Sequence, residues 1–223
     1  MPITSNPTLR VAVRAWARVG SAILTDDILD EFVAGIEGVI NFGDNVPGQE
    51  VGPLRNERMM LELAGGPPTW TATGETEALP ADFLGVREFF FPDTSPQKFL
   101  IYEPPEVFRR LKAVNNTQSS PAGKTFYTII GTNFHVAPAP TIGQTFVLRY
   151  YRMLPSLLVG SNFVVQDQPN VYLFGALAEA APFLKDDERS SYFIARRNAA
   201  IQALRSAGEA LKYPSGSLMV EAT

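Results

Sequence analysis

The alternation of apolar and polar residues divides the chain into helical ends and a pleated middle. Between Asp167 and Tyr213, Leu173, Leu177, Ala180 and Leu184 recur at three- and four-residue steps, with Phe174, Ala178 and Ala181 beside them. That spacing predicts a helix with a broad apolar face. Phe193, Ala200, Leu204, Ala207 and Leu211 keep the same rhythm, with Ile194 and Ile201 on the next row, and predict a second helix packed against the first. Pro182 lacks the amide hydrogen that would bond back to Ala178, so the first helix is expected to kink or fray there. Lys185 suits its negative end, Asp186 is expected to cap the second helix, and Asp187 and Glu188 suit that helix's positive first turn. The many alanines let the two backbones approach closely and leave little room for a pocket. This hairpin reads as scaffold.

At the other end, Leu9 to Val19 is helical in pattern, and Arg10, Arg14 and Arg18 fall at four-residue intervals along one stripe. The stripe is either a solvated face or a contact surface for an acidic partner or a neighbouring copy. Thr25 is placed to cap a second helix running to about Phe42, with Asp26 and Asp27 in its first turn and Ile28, Phe32, Ile36, Val39 and Ile40 on its buried side. Residues 1–24 carry only positive side chains. Residues 25–50 carry only negative ones: Asp26, Asp27, Asp30, Glu31, Glu37, Asp44 and Glu50. Such complementary faces suit head-to-tail packing of identical subunits, and they equally suit pairing within one subunit.

The middle reads differently. Asn45 to Thr73 is turn-rich, Arg55 to Ala64 fits a strand or a short helix, and Gly65-Gly66-Pro67-Pro68 marks a turn before an extended Trp70 to Ala78. Val86 to Phe91 and Lys98 to Tyr102 read as strands. Phe89, Phe90 and Phe91 cannot all point to one sheet face, so at least one meets a second layer or a partner; they are either buried core or a stacking platform. Pro104 and Pro105 open a short helix, Glu106 to Ala113, and Asn115 to Gly123 reads as a loop with a mobile tip. Phe126 to Ile130, Gly131-Thr132 and Asn133 to Val136 form strand, tight turn and strand. Thr145 to Tyr151 alternates Phe146, Leu148 and Tyr150 against Thr145, Val147, Arg149 and Tyr151, the strongest strand pattern in the chain.

The expected fold is therefore α+β: a helical bundle made by the N-terminal helices and a C-terminal helix hairpin, with an inserted antiparallel β domain. The boundaries read as 1–44 and 161–213 for the helical parts, 45–160 for the insertion, and 214–223 for a flexible tail.

Composition narrows the function. The 223 residues include 19 basic and 23 acidic side chains, a net charge of −4, which argues against a dedicated nucleic-acid binder. There is no cysteine and a single histidine, so disulfides, thiol nucleophiles and thiolate metal sites are excluded by sequence, and His135, in a strand, reads as structural. Met1 to Arg10 lacks the apolar core of a secretory signal, and no apolar run is long enough to span a bilayer, so a soluble protein is expected. No nucleophile elbow, phosphate-binding loop or dinucleotide fingerprint is present, and the carboxylate pairs lie at helix starts or on helix faces. No catalytic residue, metal or cofactor is expected. A hydrolase would need a base beside a nucleophile, and none is in view.

Several stretches in order carry a resemblance: Leu79-Pro80-Ala81-Asp82-Phe83-Leu84, Tyr127-Thr128-Ile129-Ile130-Gly131, Pro138-Ala139-Pro140, Val147-Leu148-Arg149-Tyr150-Tyr151, Leu154-Pro155-Ser156-Leu157, and Gln168-Pro169-Asn170-Val171-Tyr172 entering Ala176-Leu177-Ala178-Glu179-Ala180 and Leu184-Lys185-Asp186-Asp187-Glu188-Arg189. This succession resembles the head-to-tail adaptor proteins of tailed bacteriophages, including the tail-tubular gatekeeper-type proteins of short-tailed phages, over residues 79–212. The resemblance implies a structural protein of the virion neck that passes through the host cytoplasm during assembly. It further implies a homo-oligomeric ring, commonly of about twelve copies, that docks beneath a portal protein and meets a tail or nozzle protein below. DNA is expected to pass through it during packaging and ejection without sequence-specific binding, and no membrane partner is implied.

On that reading Arg10, Arg14, Arg18, Arg196, Arg197, Arg205, Tyr213, Leu218, Met219 and Val220 are candidate subunit or portal contacts. Asp26, Asp27, Asp30 and Glu31 are candidates to face the channel, where their charge would repel phosphate. The tail after Tyr213 either orders against a neighbour or the portal, or stays frayed. The alternative function is a β-sandwich glycan-binding module of a tail fibre or baseplate, stacking sugars on Trp70, Tyr102 and the Phe89 to Phe91 group.

Overall fold

The computed structural model describes residues 2–63, 74–92, 98–115 and 124–212. These form helices α1 (Asn6–Ala17), α2 (Asp26–Phe42), α3 (Pro105–Asn115), α4 (Phe163–Asp167), α5 (Asn170–Phe183) and α6 (Asp187–Lys212). The strands are β1 (Met60–Leu63), β2 (Thr76–Ala78), β3 (Phe83–Phe91), β4 (Lys98–Tyr102), β5 (Thr125–Ile130), β6 (Asn133–Ala137) and β7 (Val147–Arg152). The fold is α+β, with helices at both ends of the chain and a sheet inserted between them. Two compact units result: a helical one, Met1–Met59 with Leu154–Thr223, and a sheet unit, Met60–Met153. The expected Trp70, the loop tip of residues 116–123 and the tail from Tyr213 lie outside the described residues.

The helical unit is built around α5. Periodicity predicts one apolar face for it, but Val171 to Ala178, Ala180 and Ala181 are all buried, because α6, α2, α1 and α4 pack around it. A helix enclosed on every side needs small residues at its closest approaches. Gly175 is one such point, since a Cβ there would stand 2.6 Å from Ile36 Cγ1. The helix ends at Phe183, one residue past Pro182. The Ala178 carbonyl that Pro182 leaves without a donor accepts instead from the Ser190 hydroxyl of α6, at 3.2 Å. The chain then reverses at Lys185, whose φ of 61° is left-handed.

The N-terminal pair departs from expectation in two places. Arg18 follows α1 in the left-handed region, with φ 57°, so it leaves the stripe shared by Arg10 and Arg14. In α2 the Thr25 hydroxyl accepts from the Ile28 amide as predicted, but the buried row is Leu29, Val33, Ile36 and Ile40. Ile28, Phe32 and Val39 sit on its half-buried flank, where Phe32 meets Phe183 edge to face. Both rows are apolar, so periodicity alone places the face only to within about one residue's rotation.

The sheet unit is one seven-stranded sheet in the order β1-β7-β3-β4-β5-β6-β2. It is antiparallel except for β4 and β5, which pair in parallel. Parallel neighbours need a crossover rather than a hairpin, and α3 supplies it. The β5–β6 hairpin turns at Gly131, with φ 62°. Phe89 and Phe91 point into a cluster with Leu100, Tyr127, Phe134, Val136, Phe146, Leu148 and Tyr150. Phe90 lies against Phe99 and under the Arg149 guanidinium. All three phenylalanines are buried, at 2, 4 and 5 % exposure. The platform reading is overturned for Phe89 to Phe91, whose rings are core, and the described strands form a single sheet. His135 faces Thr76 across the β2–β6 pair, its Nδ1 3.3 Å from the hydroxyl.

Candidate functional site

The charges that segregate between the first two helices meet within one chain. Arg10 bonds Asp30 through Nε at 3.0 Å and through a terminal nitrogen at 2.6 and 2.5 Å, and its other terminal nitrogen reaches Asp26 at 2.7 Å. Arg14 donates to Asp26 at 2.6 Å and to the Leu24 carbonyl at 2.8 Å, which ties the connecting turn to α1. Asn6 adds a bond to Asp30 at 2.9 Å. Burial raises the Asp30 pKa, but the hydrogen bonds from Arg10 and Asn6 and the Arg10 charge outweigh it and leave the carboxyl below its usual range. The Asp30 hydrogen bond likewise raises Arg10 above its ordinary value. Of the acidic candidates, Asp26, Asp27 and Glu31 are exposed on α2, and Asp26 is held by Arg10 and Arg14. Arg18 is exposed and makes no side-chain hydrogen bond or ion pair among the described residues.

The basic candidates of α6 divide three ways. Arg197 is 2 % exposed and donates to Asp44 at 2.6 Å, while Asn198 donates to the Gln49 carbonyl at 2.6 Å. Arg205 binds the carbonyls of Gly52 and Pro53. These two arginines hold the turn-rich segment after α2 against α6, helped by Asn56, whose amide donates to the Leu204 carbonyl. Only Arg196 faces outward, its guanidinium 5.3 Å from the Phe174 ring centre. Tyr213, Leu218, Met219 and Val220 lie outside the described residues.

Around Phe174 the helical unit carries a surface that periodicity did not single out. Trp16 meets Phe174 edge to face at 5.9 Å, Phe174 stacks on Phe193 at 6.4 Å, and Tyr192 meets Phe193 at 5.5 Å. The inner rings are buried, whereas Trp16 and Tyr192 are 53 and 54 % exposed. Beside Trp16 runs an open groove of about 560 Å³ between α1 and the start of α5. Neither Trp16 nor Tyr192 breaks its helix's apolar rhythm, so the available signal was their size alone: large rings on scaffold helices are worth testing as contacts.

Three tyrosines among the described residues have raised pKa values. Tyr127 is pushed up to about 12 by burial and the charge of Tyr102, and Tyr150 to about 12 by burial and by its bond to Asp82. Both hydroxyls are held protonated at neutral pH. Tyr172, buried against Glu37, is raised further. Among the described residues no group of three or more His, Cys, Asp or Glu side chains is placed to hold a metal, and no helix is long and apolar enough to cross a membrane. A family model described as SU10 adaptor protein matches residues 8–217. No curated protein matches the chain.

Proposed function

The chain belongs to the SU10 adaptor protein family, the head-to-tail connectors of tailed phages, and from that premise we propose that it assembles as a ring in the virion neck. It is a structural protein and not an enzyme. In the proposed assembly about twelve copies close on one another through heterologous contacts, dock beneath the portal and present a tail or nozzle protein with its seat. Their shared bore carries DNA during packaging and ejection.

The observation that supports this reading is the aromatic strip from Trp16 to Tyr192. Two large rings stay half in water on the outer side of a well-packed bundle, while the arginines that would otherwise hold a partner by charge are mostly spent inside the subunit. Half-exposed aromatic anchors beside buried ones are the composition of an interface centre. Arg18 and Arg196 remain as outward-facing cations. Asp27 and Glu31 are the carboxylates left to face the bore, where they would keep phosphate from adhering.

Negative-stain microscopy of the protein mixed with portal tests the ring. The expected result is an added ring beneath the portal with wild-type protein. With Trp16→Ala combined with Tyr192→Ala, no such ring is expected, although circular dichroism stays unchanged. Absence of added density with wild-type protein overturns the ring reading. Rings that form normally with the double variant move the interface elsewhere.

A further inference from the structure

We propose that the groove between α1 and the start of α5 receives the segment Leu218-Met219-Val220-Glu221 of a second copy of this chain. The inference rests on the reading that copies meet side by side, and adds where one holds the next.

The groove has a defined chemistry. Val11, Ala12, Ala15 and Trp16 form one wall and Leu173 the other, with Pro169 at its end, and among the described residues no charged side chain lines it. Val11 and Trp16 are 56 and 53 % exposed, so apolar surface stands open to water along its length. Just past Trp16, α1 ends and Arg18 turns out of the helix with its guanidinium unpaired among the described residues. The complementary ligand is a short apolar run followed at once by a carboxylate. Residues 213–223 contain that order in Leu218-Met219-Val220-Glu221, joined to α6 by Tyr213-Pro214-Ser215-Gly216-Ser217. Seated with its apolar residues along Val11 and Trp16, the segment brings Glu221 to Arg18.

Reach decides whose segment it is. Ala199 and Ala200 of α6 lie beside Asn170 and Phe174 at the start of α5, level with the groove. From Ala200 the helix runs on to Lys212, about 18 Å further at 1.5 Å per residue. A tail returning to its own groove must recover that length and cross one or two helix spacings of about 8–10 Å, some 20–25 Å in all. The six residues from Lys212 to Leu218 span at most about 20–22 Å when fully extended. Nothing is left for the reversal, which itself uses about four residues. The groove of a second copy is free to lie ahead of α6 and then carries no such cost.

The natural absence of cysteine makes the test direct. Full-length Val11→Cys and Met219→Cys chains are prepared separately, mixed under conditions that form rings, with and without portal, and oxidised. A disulfide-linked pair in the mixture, absent from either variant alone, is expected. Arg18→Glu should lower its yield about two- to fivefold, the range of an exposed ion pair, and Glu221→Arg in the other chain should restore it. Rings that form without the cross-link, or Met219→Cys captured only by portal cysteines, overturn this proposal and leave the ring intact. A cross-link formed within a dilute monomeric chain carrying both substitutions overturns the assignment to a second copy. Absence of both rings and cross-link overturns the inference together with the reading it rests on.

Discussion

Arg10 holds both carboxylate oxygens of Asp30 with one terminal nitrogen, at 2.6 and 2.5 Å, while its Nε makes a third bond to the same group. Twenty residues apart in sequence, the two fix α1 against α2. Part of the charge contrast at the start of the chain is thus consumed inside the subunit.

Stability should follow the titration of Asp30. Its folded pKa is depressed, so its contribution is complete above the unfolded value of about 3.9 and is lost as pH falls through the lower folded value. Urea unfolding at pH 7 is expected to show Asp30→Asn weaker than wild type by about 1–2 kcal/mol, the range for partly buried, charged hydrogen bonds. Once the pH falls below the depressed folded value the two should converge. A constant gap across that window would show that the loss is steric.

Arg197 and Asp44 invite a double-mutant cycle. Arg197→Met leaves the partly buried Asp44 carboxylate without its partner and should cost about 3–4 kcal/mol. Asp44→Leu combined with Arg197→Met should recover at least half of that in chemical denaturation, because no lone charge remains. Equal losses in the single and double variants would mean that the pair itself contributes the stability.

Close packing at α5 is testable at Gly175. Gly175→Ala gains helix propensity of about 1 kcal/mol, yet its methyl would stand 2.6 Å from Ile36 Cγ1. Overpacking of this kind costs about 1–3 kcal/mol, so a net loss is expected in thermal unfolding. Ile36→Ala in the same chain should cost less than it does alone, since the new methyl fills part of the space. Simple additivity would refute the contact.

The exposed carboxylates of α2 should matter to DNA and not to assembly. Asp27→Asn with Glu31→Gln is expected to slow genome ejection from assembled particles by about two- to tenfold, as phosphate repulsion along the bore weakens. Ring formation should be unchanged. Ejection at the wild-type rate would place α2 away from the bore.

The sequence was legible wherever a residue's own stereochemistry dictates the outcome. Thr25 caps α2 and Gly131 turns the β5–β6 hairpin because hydroxyl-to-amide geometry and a left-handed φ are local properties. Phe89, Phe90 and Phe91 alternate between faces because the pleat has period two. The Ala178 carbonyl that Pro182 deprives of an amide donor is met by Ser190, 12 residues further along the chain, a partner that local stereochemistry does not reveal. The groove and the rings of Trp16 and Tyr192 escaped notice because exposure depends on what the other helices leave uncovered.

Sequence alone determined the α+β order, the helix hairpin at the end and the poverty of catalytic chemistry, since propensity, periodicity and the presence of a side-chain type are carried by the residues themselves. Tertiary structure decided that α5 is enclosed on all sides, that β4 and β5 run parallel through α3, and which charges are spent. An arginine four residues from the next has the same intrinsic affinity for a carboxylate wherever it stands. Whether that carboxylate comes from the same chain, as for Arg10 and Asp30, or from outside it, as proposed for Arg18, is settled only by which helices pack together and what they leave facing water.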